Sequence, residues 1–168
     1  MSKDSNIDSR IVFELHGPEE TAELARKLSE LVGTGDVLFL TGPIGAGKTQ
    51  FARSLIQAKL QKAGLFEEVP SPTYTLVQTY RAGTLEICHA DLYRIEYKHE
   101  IAELGLDEAF ERTLCLIEWP EKLPVELRQF TWKLEFSLAE ETENLRIANV
   151  YVADPANLRN LAELESGR

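Results

Sequence analysis

A glycine-rich stretch that ends in a lysine and a threonine is the pattern in this chain best suited to chemistry. It has the spacing G-x-x-x-x-G-K-[ST] and reads Gly42, Pro43, Ile44, Gly45, Ala46, Gly47, Lys48 and Thr49. In such a loop the backbone N–H groups converge on phosphate oxygens, the lysine reaches the β- and γ-phosphates, and the hydroxyl coordinates magnesium. The motif predicts a cradle for Mg-ATP; the alternative is a plain turn between a strand and a helix.

A second candidate group follows a short apolar run at residues 114–117. Glu118 ends this run and Trp119 comes next. Proteins with this kind of loop place an acid that helps to hold magnesium at the end of a neighbouring buried strand. Aspartate is usual there, so the longer glutamate is expected to act through a water molecule, or else to be a solvated carboxylate at a strand end. Trp119 is either a core aromatic or a platform near the nucleotide or a partner.

Asp91 is the third candidate, within the run His89, Ala90, Asp91, Leu92, Tyr93 and Arg94. Its carboxylate could orient the attacking water, take the proton of that water, or hold a magnesium-bound water; a turn-forming aspartate is the alternative. Arg94 is a candidate arginine finger. His89 and His99 lack metal-ligand spacing and are predicted to be packing or surface residues. Residues 71–75 are either a segment that senses the γ-phosphate or an ordinary proline turn.

The hydrophobic periodicity predicts the elements that must position these residues. Strands are expected at residues 11–15, 37–40 and 114–117, with antiparallel hairpins at 74–89, turning through 81–83, and at 132–152. Helices are expected between Gly17 and Gly33, from the glycine-rich loop to about Gly64, near residues 100–110, and as a candidate terminal helix at 155–165. The presence of hairpins beside buried parallel-type runs predicts a mixed sheet of an α/β fold.

Composition limits the function classes. With 168 residues, 43% of them hydrophobic, we expect one domain over residues 1–168, with 1–9 and 155–168 as candidate flexible tails. The net charge of −10 and the scattered basic residues argue against an autonomous nucleic-acid binder. No long apolar run or signal-like start is present, so a cytoplasmic protein without a membrane span is expected. Cys88 and Cys115 are predicted to be reduced, packed thiols.

Two other readings of the glycine-rich motif are open. A small-molecule kinase would carry a lid with clustered arginines, and no such cluster is visible in the sequence. A nucleotide-dependent binding switch of the GTPase type usually carries D-x-x-G and N-K-x-D segments, which are also missing from it.

The glycine-rich loop, residues 71–77, the segment around Asp91 and the run ending in Trp119 occur in one order between residues 41 and 119. Together they resemble the TsaE (YjeE) family of bacterial ATPases. The resemblance implies a P-loop NTPase-like three-layer fold with helices on both faces of a mixed sheet. It also implies slow hydrolysis of Mg-ATP that supports threonylcarbamoyladenosine modification of tRNA next to the anticodon.

By the same resemblance the partners are the TsaD and TsaB proteins, and tRNA is contacted only through their complex. Lys48 would bind phosphate, Thr49 and Glu118 would handle magnesium, and Asp91 would support hydrolysis and coupling to the partner. Trp119 would lie near the nucleotide. Ala90 departs from the aromatic or similar residue that commonly occupies its position in the family, without consequence for the charge chemistry.

Overall fold

A mixed seven-stranded sheet organises the computed structural model, which describes residues 10–166. The strands are β1 (Arg10–His16), β2 (Val37–Thr41), β3 (Val77–Ala82), β4 (Leu85–Asp91), β5 (Leu114–Glu118), β6 (Trp132–Leu138) and β7 (Leu145–Val152). The helices are α1 (Pro18–Ser29), α2 (Lys48–Lys62), α3 (Lys98–Ala102), α4 (Leu106–Arg112) and α5 (Pro155–Ser166), and short 3-10 turns lie at Pro120–Lys122 and Val125–Leu127.

The strand order is β1-β7-β6-β2-β5-β4-β3. The central strand β2 pairs in parallel with β5 and β6, and β4 pairs in parallel with β5. The outer pairs β1/β7, β6/β7 and β3/β4 are antiparallel. The predicted mixed sheet is therefore confirmed.

Side chains alternate between the two faces of the sheet, and each face has its own apolar cluster. Leu38 and Leu40 of β2 pack on the side of α1, α2 and α5. Val37 and Phe39 of the same strand pack on the side of α3 and α4. Successive strand residues point to opposite faces, so a strand covered on both sides is apolar throughout. Helices on both faces confirm the predicted three-layer architecture.

Three predicted features differ from the observed ones. The strand expected from residue 74 begins only at Val77, because Leu76 adopts a left-handed conformation (φ 65°) and its N–H donates to Pro72 O at 2.8 Å. The single helix expected near 100–110 is two helices, α3 and α4, separated at Gly105, whose φ of 67° interrupts the helical backbone. The first hairpin turns at residues 83–84, slightly later than expected.

The C-terminal segment forms the expected helix, α5, and its Leu161 is fully buried in the core. The expectation of a flexible tail at residues 1–9 lies outside the described residues, as do positions 167–168. Within residues 10–166 no helix is both long enough and apolar enough to cross a membrane. Cys88 and Cys115 are buried free thiols on neighbouring strands, as predicted.

Candidate functional site

The glycine-rich loop connects the end of β2 to the start of α2, and two of its glycines are required by geometry. Gly42 has a φ of 134°, and a Cβ there would lie 2.3 Å from the carbonyl oxygen of Phe136. Gly47, the residue before α2, has a φ of 107°. These conformations are costly for other residues, so glycines allow the chain to turn tightly into the helix. The N-terminus of α2, with its favourable field for anions, thereby faces the loop.

Lys48 begins α2, and its side chain folds back over the loop. It is only 5% exposed, and its Nζ donates to Gly42 O at 2.6 Å and to Pro43 O at 2.9 Å. The same ammonium lies 4.4 Å from the centre of the Trp119 ring. Burial lowers the pKa of Lys48, and the negative charges of Glu118 and Asp91 oppose that effect. Two of the three N–H donors of the ammonium are used by the two loop carbonyls, so one donor is left for a further acceptor beside the N-terminus of α2.

Thr49, in the first turn of α2, contacts Glu118 at the end of β5. The Thr49 hydroxyl donates to Glu118 Oε2 at 2.8 Å, and Glu118 is only 2% exposed. Parallel pairing of β2 with β5 causes this meeting, because it sets Leu40 opposite Glu118 at the edge from which the loop leaves. The sequence-predicted pair of magnesium-handling residues is thus brought together.

Asp91 lies at the same edge, opposite Glu118 in the β4/β5 register. Its Oδ1 accepts a hydrogen bond from the N–H of Tyr93 at 3.0 Å, and the residue is 6% exposed. Burial raises the pKa of Asp91; the Tyr93 N–H lowers it, and the charge of Glu118 raises it further. The carboxylate therefore forms the expected turn contact and also lines the cleft.

His89 lies behind the cleft and contacts Glu118, a contact that the sequence analysis did not predict. It is fully buried, as the packing prediction allowed, but its Nε2 lies 2.8 Å from Glu118 Oε1. The available signal was its spacing of two residues from Asp91 on one strand, which places both side chains on the same face. His99 is exposed and stacks on Tyr97, with ring centres 5.6 Å apart.

Trp119 lies at the rim of the cleft in a left-handed backbone conformation with a φ of 59°. Its ring is half-buried against the apolar cluster on the α3 and α4 side, and its centre is 5.0 Å from that of Tyr93. Such a conformation is uncommon for a bulky residue, and strained backbone of this kind clusters at functional sites. The ring thus packs on the apolar cluster and also lines the cleft, where a nucleotide platform would have to lie.

An open cleft of about 470 Å³ lies beside the glycine-rich loop, a volume within the range of small-molecule sites. The lining residues are Ile44, Gly45, Gly47, Lys48, Thr49, Gln50, Thr73, Asp91, Tyr93, Glu118 and Trp119.

Residues 71–75 contribute Thr73 to the cleft, and its hydroxyl is 2.7 Å from that of Ser71. The same segment precedes Leu76, whose carbonyl accepts from the N–H of Asp91 at 2.9 Å. Arg94 is not among the described lining residues; its guanidinium carbon lies 4.4 Å from the ring centre of Tyr74.

The donor set beside the loop fits magnesium. Thr49 Oγ1 and Glu118 Oε2, joined by their 2.8 Å hydrogen bond, place a hydroxyl and a carboxylate oxygen side by side at the loop. Within residues 10–166 no group of three or more histidine, cysteine, aspartate or glutamate side chains could hold a metal ion. A hydroxyl, one carboxylate, water and substrate phosphates are a combination that magnesium accepts.

Comparisons with known proteins identify the family. The model of the family described as threonylcarbamoyl adenosine biosynthesis protein TsaE matches residues 15–148. Proteins named tRNA threonylcarbamoyladenosine biosynthesis protein TsaE include one from Rickettsia conorii, 43% identical over 64% of this chain and 59% of its own length. One from Bacillus subtilis is 40% identical over 69% of this chain and 73% of its own length. One from Rickettsia bellii is 36% identical over 82% of this chain and 94% of its own length.

The chain thus spans less than two thirds of the length of the Rickettsia conorii relative. In three dimensions it is similar to the crystal structure of YdiB from Bacillus subtilis, with a TM-score of 0.67 and 26% identity over 94% of this chain and 95% of the other. The family match over most of the chain, the matching relatives and the shared fold lead to one conclusion: this chain belongs to the TsaE family of threonylcarbamoyl adenosine biosynthesis proteins.

Proposed function

We propose that this chain is a slow P-loop ATPase that binds and hydrolyses Mg-ATP to support threonylcarbamoyladenosine modification of tRNA next to the anticodon. The observation that carries the proposal is the meeting of Lys48, Thr49, Asp91 and Glu118 at one cleft, on a loop that leads into a helix N-terminus. Phosphate binding, cation binding and activation of water are the three tasks of a nucleotide hydrolase, and each has a group here.

In the proposed complex, Gly42 to Thr49 hold the phosphates through backbone N–H groups. Lys48 exchanges a contact with the loop carbonyls for one with the β- and γ-phosphates, which gives the buried cation a negatively charged hydrogen-bond partner. Magnesium would be held by Thr49 and Glu118 and would supply neutralisation of phosphate charge. Trp119, packed over the ammonium, would shield the phosphates from water.

Asp91 is the group proposed to act on the attacking water. Its raised pKa brings the carboxyl closer to the pH at which a general base works well, and it faces the cleft beside Glu118. Among the described lining residues there is no arginine that could stabilise charge on the transferred phosphoryl group. Slow turnover is therefore proposed for the chain alone.

The partner proposal follows from the family together with the charge. The relatives carry the words tRNA threonylcarbamoyladenosine biosynthesis in their names, and the TsaE resemblance implies TsaD and TsaB as the proteins served. A net charge of −10 disfavours direct contact with the phosphates of tRNA, so we propose that the partner complex holds the RNA. The place of action would be the cytoplasm.

Release of inorganic phosphate from ATP, with and without a purified TsaD and TsaB complex, tests the proposal. We expect slow release by the chain alone and marked stimulation by the partners, both lost in Lys48→Ala and Asp91→Ala. Direct transfer of phosphate to a nucleoside or metabolite would instead identify a kinase. Failure of the partners to bind or to change the rate would overturn the tRNA-modification part while leaving the ATPase part standing.

A further inference from the structure

His89 places a fully buried imidazole behind the cleft, and the chemistry proposed above makes no use of it. Its Nε2 lies 2.8 Å from Glu118 Oε1, and both side chains are excluded from solvent. An ionised carboxylate only accepts hydrogen bonds, so Nε2 must carry the hydrogen and donate it. Among the residues that the structure describes, Nδ1 has no hydrogen-bond partner, so Glu118 is the polar group that this ring serves.

The carboxylate of Glu118 is held at both oxygens by different side chains. His89 donates to Oε1 and Thr49 donates to Oε2. The Glu118 backbone is fixed separately, since its carbonyl accepts from the N–H of Leu92 at 3.1 Å. The glutamate arm has one more rotatable bond than the aspartate usual at such a site, so the carboxylate needs more constraint to keep one orientation. The hydrogen bond from His89 supplies it.

Thr49 is a weaker constraint in the loaded site, because its one hydroxyl would have to bind the cation and donate to Glu118 at the same time. When the Thr49 hydroxyl turns its lone pairs to a cation, its hydrogen need no longer point at Glu118 Oε2, and the His89 bond is the remaining described side-chain contact that fixes the carboxylate plane. Carboxylates and carbonyls that orient the ligands of a metal act in this indirect way in other proteins, and losing them commonly weakens metal binding or activity.

We propose that His89 is a positioning residue: its hydrogen bond to Glu118 Oε1 aims Glu118 Oε2 at the magnesium ion beside Thr49. This inference rests on the proposed function, because it assumes that Mg-ATP occupies the cleft. It assigns the histidine no contact with nucleotide, water or metal.

Two substitutions separate the hydrogen bond from the bulk of the ring. His89→Gln keeps an N–H donor at about the reach of Nε2, whereas His89→Leu fills the space without a donor. Ile87→Ala is the matched control, since Ile87 is fully buried on the same face of β4, two residues earlier, and packs in the apolar core. It weakens the same strand without removing a contact of Glu118, and thermal unfolding of all variants would show how far each is destabilised.

The measurement is the calorimetric affinity for a non-hydrolysable ATP analogue, in magnesium and again in EDTA, for the wild type and the three variants. The ratio of the two affinities isolates the contribution of magnesium. For His89→Leu we expect that ratio to fall by about tenfold or more, because removing a residue that orients a metal ligand commonly weakens metal binding by that factor. The affinity in EDTA should change little, His89→Gln should keep most of the ratio, and Ile87→Ala should keep all of it.

The inference is overturned if His89→Leu keeps the wild-type ratio, if His89→Gln loses as much as His89→Leu while folded, or if Ile87→Ala loses as much as either. In all three cases the wild type still binds Mg-ATP and the proposed function stands. If the wild type itself shows no tightening by magnesium, the magnesium part of the proposed function fails, and the positioning role fails with it.

Discussion

Asp91→Asn should make the nucleotide-free protein more stable while abolishing its ATPase activity. The asparagine Oδ1 can keep the hydrogen bond from the N–H of Tyr93, now 3.0 Å long, and its amide would face the open cleft. The substitution therefore removes the charge and retains the turn. The buried negative charge of Asp91 beside the carboxylate of Glu118 is unfavourable, and the substitution removes that charge.

The pH dependence of this gain has a definite sign. Because the pKa of Asp91 is raised above its ordinary value of 3.8, mainly by burial, the folded state binds this proton more tightly than the unfolded state does. The stability associated with the group is fully present below 3.8 and is lost as the pH rises through the raised pKa. Asparagine does not ionise, so its advantage over aspartate grows over that interval and is complete above it.

Relief of one unfavourable charge at a functional site commonly gives about 1 kcal/mol. For a domain of this size that corresponds to a rise in Tm of about 2–4 °C. Differential scanning calorimetry in EDTA at pH 7.5 would show the rise, and repeating it near pH 4 would show it shrink. A variant that is less stable than the wild type at pH 7.5, or a gain that is larger near pH 4, would refute the claim that the Asp91 charge is held at a cost.

Three further predictions concern the loop and its surroundings. Gly42→Ala should lower the free energy of unfolding by about 3 kcal/mol, since its Cβ would lie 2.3 Å from the carbonyl oxygen of Phe136. Gly45→Ala, which has open space around its Cβ, should lower it by only about 1 kcal/mol. Urea titrations measure both losses, and equal losses would contradict the steric argument. Thr49→Ala should raise the magnesium concentration for half-maximal activity by about tenfold or more, whereas Thr49→Ser should not; a similar rise in both would speak against the hydroxyl as ligand. ATP should change the intrinsic fluorescence of the wild type but not of Trp119→Phe, because the ring packs 4.4 Å from the Lys48 ammonium; a change retained without Trp119 would place the reporter elsewhere.

The parts of the site that are local in sequence could be predicted from it. The loop from Gly42 to Thr49 lies between an apolar strand and an amphipathic helix, and both appear in the structure with nearly the expected bounds. The two acids were also identified, because each ends an apolar strand. Such signals depend on residues within about ten positions of one another, which is the range over which periodicity and turn chemistry act.

The contacts between distant segments could not be predicted in the same way. Asp91 stands opposite Glu118 because β4 and β5 pair in one particular parallel register, which no nearby residue specifies. The hydrogen bond from His89 to Glu118 depends on the same register. Without that register, the sequence pattern predicts only a packing or surface role for the histidine. Trp119 and Leu76 adopt left-handed conformations against the preference of bulky side chains, so their residue types did not indicate them.

The central claim is that the cleft binds Mg-ATP through Lys48 and the glycine-rich loop. Calorimetric titration of ATP into the purified chain in the presence of magnesium, compared with the same titration into Lys48→Ala, tests it most directly. The account predicts saturable binding at one site by the wild type and an affinity at least about tenfold weaker in the variant, since hydrogen bonds to charged groups contribute about 1.5–3 kcal/mol. No binding by the wild type, or equal binding by a folded Lys48→Ala variant, would contradict it.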